Sequence, residues 1–173
     1  MNVNLDRIEE LLKDTKDMTA EELGTFMYLL TKDTNELSYT GPRQNHAPYG
    51  AVSPWITVCK IGEFDAAHNN PFIDGKCKYL HGHTYKYEVY VRTIISDKTG
   101  ISIDFRELKK FMKEMIEEKL DHKYLNEVLP FIPSTENIVI WIFQQLSPHF
   151  PVDKVRLWEN PTSFAEITAD DLR

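Results

Sequence analysis

Only two cysteines, Cys59 and Cys77, occur among the 173 residues. They allow at most one disulfide, which excludes a cystine-framework fold. Long apolar runs are also missing. The longest, Ile138 to Phe143, falls far short of the ~18 residues that span a bilayer, so no membrane partner is expected. No basic stripe suggests nucleic acid as a partner. The N-terminal stretch MNVNLDRIEELLK has neither a basic n-region nor an apolar h-region, so no secretory signal is read from it. These absences point to the cytoplasm, with both thiols reduced. Internal repeats and low-complexity runs are absent as well.

What is present is ordinary for a globular chain: 42% hydrophobic and 27% charged residues. At ~150 residues per domain, the length corresponds to one domain with an extension. The net charge of −7 is uneven. Residues 1–40 hold four basic and nine acidic side chains, a net of −5, and the remainder carries only −2. The acidity therefore belongs mostly to the N-terminal segment. A local basic pocket for a small anion stays compatible with this balance, because net charge says little about one cleft.

The spacing of Leu5, Ile8, Leu11 and Leu12 predicts a short amphipathic helix over 4–16. Thr19 and Glu22 form a capping box for a second, with Leu23, Phe26, Met27 and Leu30 on one side. Residues 1–37 thus read as a helical extension. The stretch 38–54, with three Pro and two Gly, reads as a linker. The main domain, 55–173, begins near Trp55. Trp55 to Phe64 is rich in strand formers. In His83 to Ile95, Tyr85, Tyr87, Val89 and Val91 alternate with Lys86, Glu88, Tyr90 and Arg92. Asp97 to Gly100 supplies a turn. Asp104 caps a helix whose buried face is expected to hold Phe105, Leu108, Met112, Met115, Ile116 and the stem of Lys119. Ser134 caps the next, with Ile138, Trp141, Ile142 and Leu146 inward. Val152 to Glu159 and Phe164 to Thr168 complete a ββααββ pattern. It predicts an α+β domain: a four-stranded antiparallel sheet with two helices on one face.

His81 and His83 lie two apart in HGH, leading into a strand, and so project to one side. His68 ends the preceding strand. If the two strands pair as a hairpin, it returns beside them and completes a three-nitrogen set of the kind that leaves a zinc ion open to water or substrate. The alternative is three ordinary strand-end histidines. Cys77 is a fourth ligand, a reactive thiol beside a metal, or a core cysteine, and its neighbours Asp74, Gly75, Lys76 and Lys78 favour an exposed loop. Cys59 reads as core. Asp121 and His122 form either a carboxylate–imidazole relay or a plain helix C-terminus. Glu136 opens a helix, where the dipole accounts for a carboxylate. Glu159, at a strand end, is either solvated or able to take paired N–H bonds from an amidine-like ring edge.

Taken together, FDAAH, CKYLHGHTY, IDF-x-x-LK, LDHKYLN, PSTEN and WENPTSFAE resemble the 6-pyruvoyl-tetrahydropterin synthase / 6-carboxytetrahydropterin synthase family. The resemblance runs from about Trp55 to Thr168. It implies a tunnelling fold and a Zn2+ ion held by His68, His81 and His83. It also implies that Cys77 is the catalytic thiol, with Asp121 and His122 as its relay. Glu159 then anchors the pterin ring, and Thr135 and Glu136 line the same pocket. The implied substrate is 7,8-dihydroneopterin triphosphate, and the implied assembly is a homohexamer, a dimer of trimers with sites between subunits. Eight residues separate His68 from Cys77, and the C-x-x-x-H-G-H spacing resembles the carboxy-forming bacterial branch. Pyruvoyl-forming animal enzymes carry a longer segment there. The carboxy-forming branch releases acetaldehyde and triphosphate and feeds 7-deazaguanine (queuosine-type) synthesis. A pyruvoyl-forming synthase is the alternative. A non-catalytic pterin or purine binder is disfavoured, because Cys77, Asp121 and His122 are all present. Residues 1–54 have no counterpart in the resemblance.

Overall fold

The computed structural model describes residues 54–172. The two helices expected in 1–37, and nearly all of the linker at 38–54, lie outside the described residues. Strand β1 (Trp55–His68) and strand β2 (His81–Ile94) form one long antiparallel hairpin. Its register runs from Trp55 opposite Ile94 to His68 opposite His81. Strand β4 (Val152–Asn160) pairs antiparallel with β2, and β5 (Ser163–Thr168) pairs antiparallel with β4. A two-residue strand, β3 (Lys123–Tyr124), runs parallel to β1 on its other side. Among the described residues the sheet therefore has five strands in the order β3-β1-β2-β4-β5, not four, and one of them is parallel. A two-residue strand has no alternation to display, so its sequence carries no strand signal.

Helix α1 (Phe105–Met112) starts where the Asp104 carboxylate accepts the Arg106 N–H at 2.8 Å. It continues through a π-helical stretch, Lys113–Glu117, into a last turn, Glu118–Leu120. A short α2 (Leu125–Val128) comes next. Helix α3 (Thr135–Leu146) is capped by the Ser134 hydroxyl, which accepts the Asn137 N–H at 3.3 Å. A 3-10 turn, Ala169–Leu172, ends the described chain. Among the described residues no helix is long and apolar enough to cross a membrane.

The helices cover one face of the sheet, and the core lies between. Tyr85, Tyr87, Val89 and Val91 are fully buried, as their alternation requires. They meet Leu108, Met112, Ile116 and Leu120 from the α1 rod, and Ile138, Ile142 and Leu146 from α3. Three expectations fail at the margins of this layer. Phe105, at the first position of α1, is exposed. Trp141 is only partly buried, and exposed Lys119 places its ammonium 5.8 Å from the Trp141 ring centroid. Cys59 is exposed rather than core. It sits one residue out of phase with Val58, so it falls on the face that no described helix covers. That face carries a polar lattice instead. Glu88 accepts from Lys86 at 2.9 Å and from Tyr90 at 2.7 Å, and Arg156 donates twice to Glu166.

Candidate active site

The full-length hairpin decides where three histidines meet. His68 faces His81 across the two strands, and His83 lies one pleat further along the same side. One ring nitrogen from each comes within 4.8 Å of the others. Main-chain carbonyls orient two of the rings. The Nδ1–H of His68 donates to the Pro133 carbonyl at 2.7 Å, and the Nδ1–H of His81 donates to the Tyr79 carbonyl at 2.8 Å. Each bond leaves the Nε2 lone pair free to bind a cation, the usual arrangement behind a metal-bound imidazole. The Nε2 atoms of His68 and His83 are buried and have no hydrogen-bond partner. Burial lowers the pKa of both rings, so both stay neutral, the form that ligates metal. Buried, orphaned nitrogens that converge in neutral form fit a metal ion: an ion would satisfy the groups that the protein leaves unpaired.

Cys77 is exposed on the 3-10 turn Lys76–Lys78 and does not join the trio's cluster. Hydrogen bonds from the end of β1 tether its loop. The Asn70 N–H donates to the Cys77 carbonyl at 2.8 Å, and the Asn69 side chain donates to the Lys78 carbonyl at 3.2 Å. Asn69 is itself clamped by the LDHKYLN segment. The Asn126 side chain accepts the Asn69 N–H at 3.0 Å and donates to the Asn69 carbonyl at 2.8 Å, and the Tyr124 hydroxyl donates to Asn69 Oδ1 at 2.6 Å. One asparagine therefore links the strand end that carries His68, the Cys77 loop and the chain after α1. Sequence reasoning singled out Asp121 and His122 in that segment but missed Asn69, Tyr124 and Asn126. An Asn next to a ligand position is the signal that could have found the first.

Asp121 and His122 do lie together. Asp121 Oδ2 and His122 Nδ1 are 2.9 Å apart. Both are fastened to Asp65 of β1. The Asp65 N–H donates to Asp121 Oδ1 at 2.9 Å, and the His122 N–H donates to the Asp65 carbonyl at 2.6 Å. His122 is left-handed, with φ 56°, a conformation that costs a non-glycine residue about 1–2 kcal/mol. The two bonds to Asp65 hold it there. The Asp65 N–H holds the Asp121 carboxyl below its ordinary pKa, and His122 adds to the effect. The Asp65 carboxylate, which accepts from Thr84, clusters with the pair. Asp65 and His68 differ in parity along β1, so the pair and the trio occupy opposite faces of that strand. The structure brings together Asp121 with His122, and His68 with His81 and His83. It does not bring the pair onto the trio within one copy. The His122 side chain is 77% exposed.

Glu159, near the end of β4, points at the trio. Its Oε1 lies 3.7 Å from His68 Nε2 and 3.8 Å from His83 Nε2. The register places it there: Lys86 pairs with Trp158, so the next β4 residue falls beside Tyr85 on the histidine face. Tyr85 is fully buried with its hydroxyl unpartnered, and burial together with Glu159 pushes the phenol well above its ordinary pKa. Thr135 is buried at the first turn of α3, and Glu136 beside it is exposed. This end of α3 reaches the trio through the Pro133 carbonyl.

Comparison with known proteins agrees with this geometry. The family model described as 6-pyruvoyl tetrahydropterin synthase matches residues 57–170. The Synechocystis protein named 6-carboxy-5,6,7,8-tetrahydropterin synthase is 39% identical over 97 residues, which cover 53% of this chain and 74% of that protein. The Dictyostelium discoideum protein named 6-pyruvoyl tetrahydrobiopterin synthase is 35% identical over 101 residues, or 55% of this chain and 75% of that one. The solved Caenorhabditis elegans 6-pyruvoyl tetrahydropterin synthase superposes with a TM-score of 0.61 at 26% identity, covering 68% of this chain and 97% of its own. With the hairpin, the helix layer and the histidine trio all in place, the chain belongs to the 6-pyruvoyl tetrahydropterin synthase family, has its tunnelling fold, and is an enzyme of the tetrahydropterin synthase type.

Proposed function

We propose that the chain is a zinc-dependent 6-carboxy-5,6,7,8-tetrahydropterin synthase. It converts 7,8-dihydroneopterin triphosphate to the carboxy product with release of acetaldehyde and triphosphate, in 7-deazaguanine (queuosine-type) synthesis. The observation that carries the reading is the trio of converging imidazoles, in which burial favours the neutral form of His68 and His83 and leaves their Nε2 atoms unpaired. His68, His81 and His83 hold the zinc. When bound, the ion supplies Lewis-acid polarisation of the substrate's side-chain oxygens. Cys77, tethered by Asn69 and Asn70 at the edge of this site, moves a proton at the side-chain carbon next to the ring. Glu159 accepts paired N–H bonds from the amidine-like edge of the pterin, and Thr135 and Glu136 line the pocket.

The Asp121–His122 pair serves as the proton relay. Its exposure, and its position on the opposite face of β1 from the trio, support a homo-oligomer in which the pair of one copy completes the site of the next. A dimer of trimers satisfies this. The catalytic unit is residues 55–173, with 1–37 as an extension joined to it by the segment 38–54. The short Cys77-to-HGH spacing favours the carboxy product over the pyruvoyl product. The deciding experiment incubates zinc-loaded protein with dihydroneopterin triphosphate and tracks the products by mass spectrometry. Acetaldehyde with the carboxy product is expected. A pyruvoyl product without acetaldehyde would place the chain in the other branch, and no turnover would leave a binding module.

A further inference from the structure

Gly62 stands in the middle of β1, opposite Tyr87 of β2. A Cβ at position 62 would lie 2.5 Å from Cζ of the Tyr87 ring and 2.6 Å from its hydroxyl oxygen. Only glycine leaves room for this ring to lie across the strand. The ring is fully buried, and a buried phenol usually finds a partner for its hydroxyl, although Tyr85 on the same face does not. Tyr87 finds Glu117: its hydroxyl donates to Glu117 Oε1 at 3.1 Å.

Glu117 is the last residue of the π-helical stretch Lys113–Glu117 that interrupts the α1 rod. Such a stretch inserts one extra residue, which turns everything after it by about 100° relative to a continuous α-helix. The chain then makes the final helical turn, Glu118–Leu120, and reaches Asp121 and His122. The backbone carbonyl of Glu117 accepts the Asp121 N–H at 2.7 Å. Glu117 therefore holds the sheet with its side chain and the relay pair with its backbone. Asp121 and His122 are gripped from two sides, by Glu117 at the helix end and by Asp65 on β1.

We propose that Tyr87, seated in the space left by Gly62, is a positioning residue for the Asp121–His122 pair and acts through Glu117 to fix where the π-interrupted helix delivers it. The proposal rests on reading that pair as the proton relay. Tyr87→Phe tests it by keeping the ring and removing one oxygen. Its kcat for dihydroneopterin triphosphate should fall about 3- to 10-fold, the equivalent of one lost hydrogen bond, while KM stays within about twofold. Zinc stoichiometry should not change. In carboxyl NMR the Asp121 titration should move up toward the ordinary range, because its alignment on the Asp65 N–H loosens. Glu117→Ala should reproduce both effects, and Glu117→Gln, which retains an acceptor oxygen, should restore both. If Tyr87→Phe and Glu117→Ala lower only the melting temperature, leaving kcat and the Asp121 titration as in the parent protein, the contact is structural and the proposal is overturned. If the parent protein does not turn over this substrate, the functional reading fails instead, and the Asp121 titration in the variants still decides the positioning claim.

Discussion

Asn126→Ala probes how far the proposed metal centre depends on residues outside the histidine trio. The Asn126 side chain makes two hydrogen bonds to the backbone of Asn69, at 3.0 and 2.8 Å, immediately after His68. Alanine removes both partners and leaves the Asn69 N–H and carbonyl unpaired. A hydrogen bond contributes about 0.5–1.5 kcal/mol net, so two give ~1–3 kcal/mol. The site is partly buried and water replaces part of the loss, which narrows the expectation to ~1–2 kcal/mol. For a chain of this length each kcal/mol shifts Tm by about 2–4 °C, so a drop of ~2–8 °C is expected. The same change loosens the chain next to His68, a proposed zinc ligand, and should weaken zinc about 10-fold, the lower end for an outer-sphere contact. Thermal denaturation of metal-free protein gives the first quantity, and competition with a coloured chelator gives the second. A variant within about 1 °C of the parent and with parental zinc affinity would refute the reasoning that Asn69 couples the LDHKYLN segment to His68. Weaker zinc with unchanged metal-free stability would instead assign Asn126 a direct role at the ion.

Cys77→Ala should lower turnover by ~100-fold or more, as removal of a general acid–base group does, and should retain one zinc per subunit by metal analysis. Loss of stoichiometric zinc would make the thiol a ligand. Glu159→Gln puts an amide donor where the ring's own N–H groups should point, so pterin binding measured by calorimetry should weaken at least ~10-fold with zinc kept; unchanged affinity would move the anchor, with Glu136 next in line. The folded-state pKa values of His68 and His83 lie below the ordinary histidine value because of burial. Between those values and about 6.5 the unfolded chain binds more protons than the folded one. Metal-free protein should therefore be fully stabilised by this pair above about pH 6.5 and lose that contribution as pH falls through the depressed folded values. Melting temperatures across roughly pH 5 to 8 report this directly. A flat profile would mean that the two rings are not desolvated.

Much of the site was legible in the sequence because its chemistry is local. HGH at a strand start projects two imidazoles to one side whatever the rest of the fold does. FDAAH upstream needs only a hairpin to bring the third. The alternation of Tyr85, Tyr87, Val89 and Val91 determined which face of β2 meets the helices, because a strand's side chains alternate with period two. Asp104 and Ser134 marked both main helix starts, because capping is a matter of a few neighbouring residues. What only the tertiary structure decided depends on register and on contacts between distant segments. The short strand β3 exists because Asp65 offers its backbone to Asp121 and His122, which no pattern in Lys123 and Tyr124 announces. Cys59 is exposed because, among the described residues, its face of the sheet has no helix over it, a fact of packing and not of the strand's own sequence. The opposite-face placement of the Asp121–His122 pair and the histidine trio comes from a parity difference between Asp65 and His68 that matters only once the pair docks on β1. The meaning of Gly62 likewise appears only when Tyr87 is found lying across it. Short-range periodicity and spacing are written into the chain itself, whereas the partner that satisfies a buried polar group is chosen by the fold.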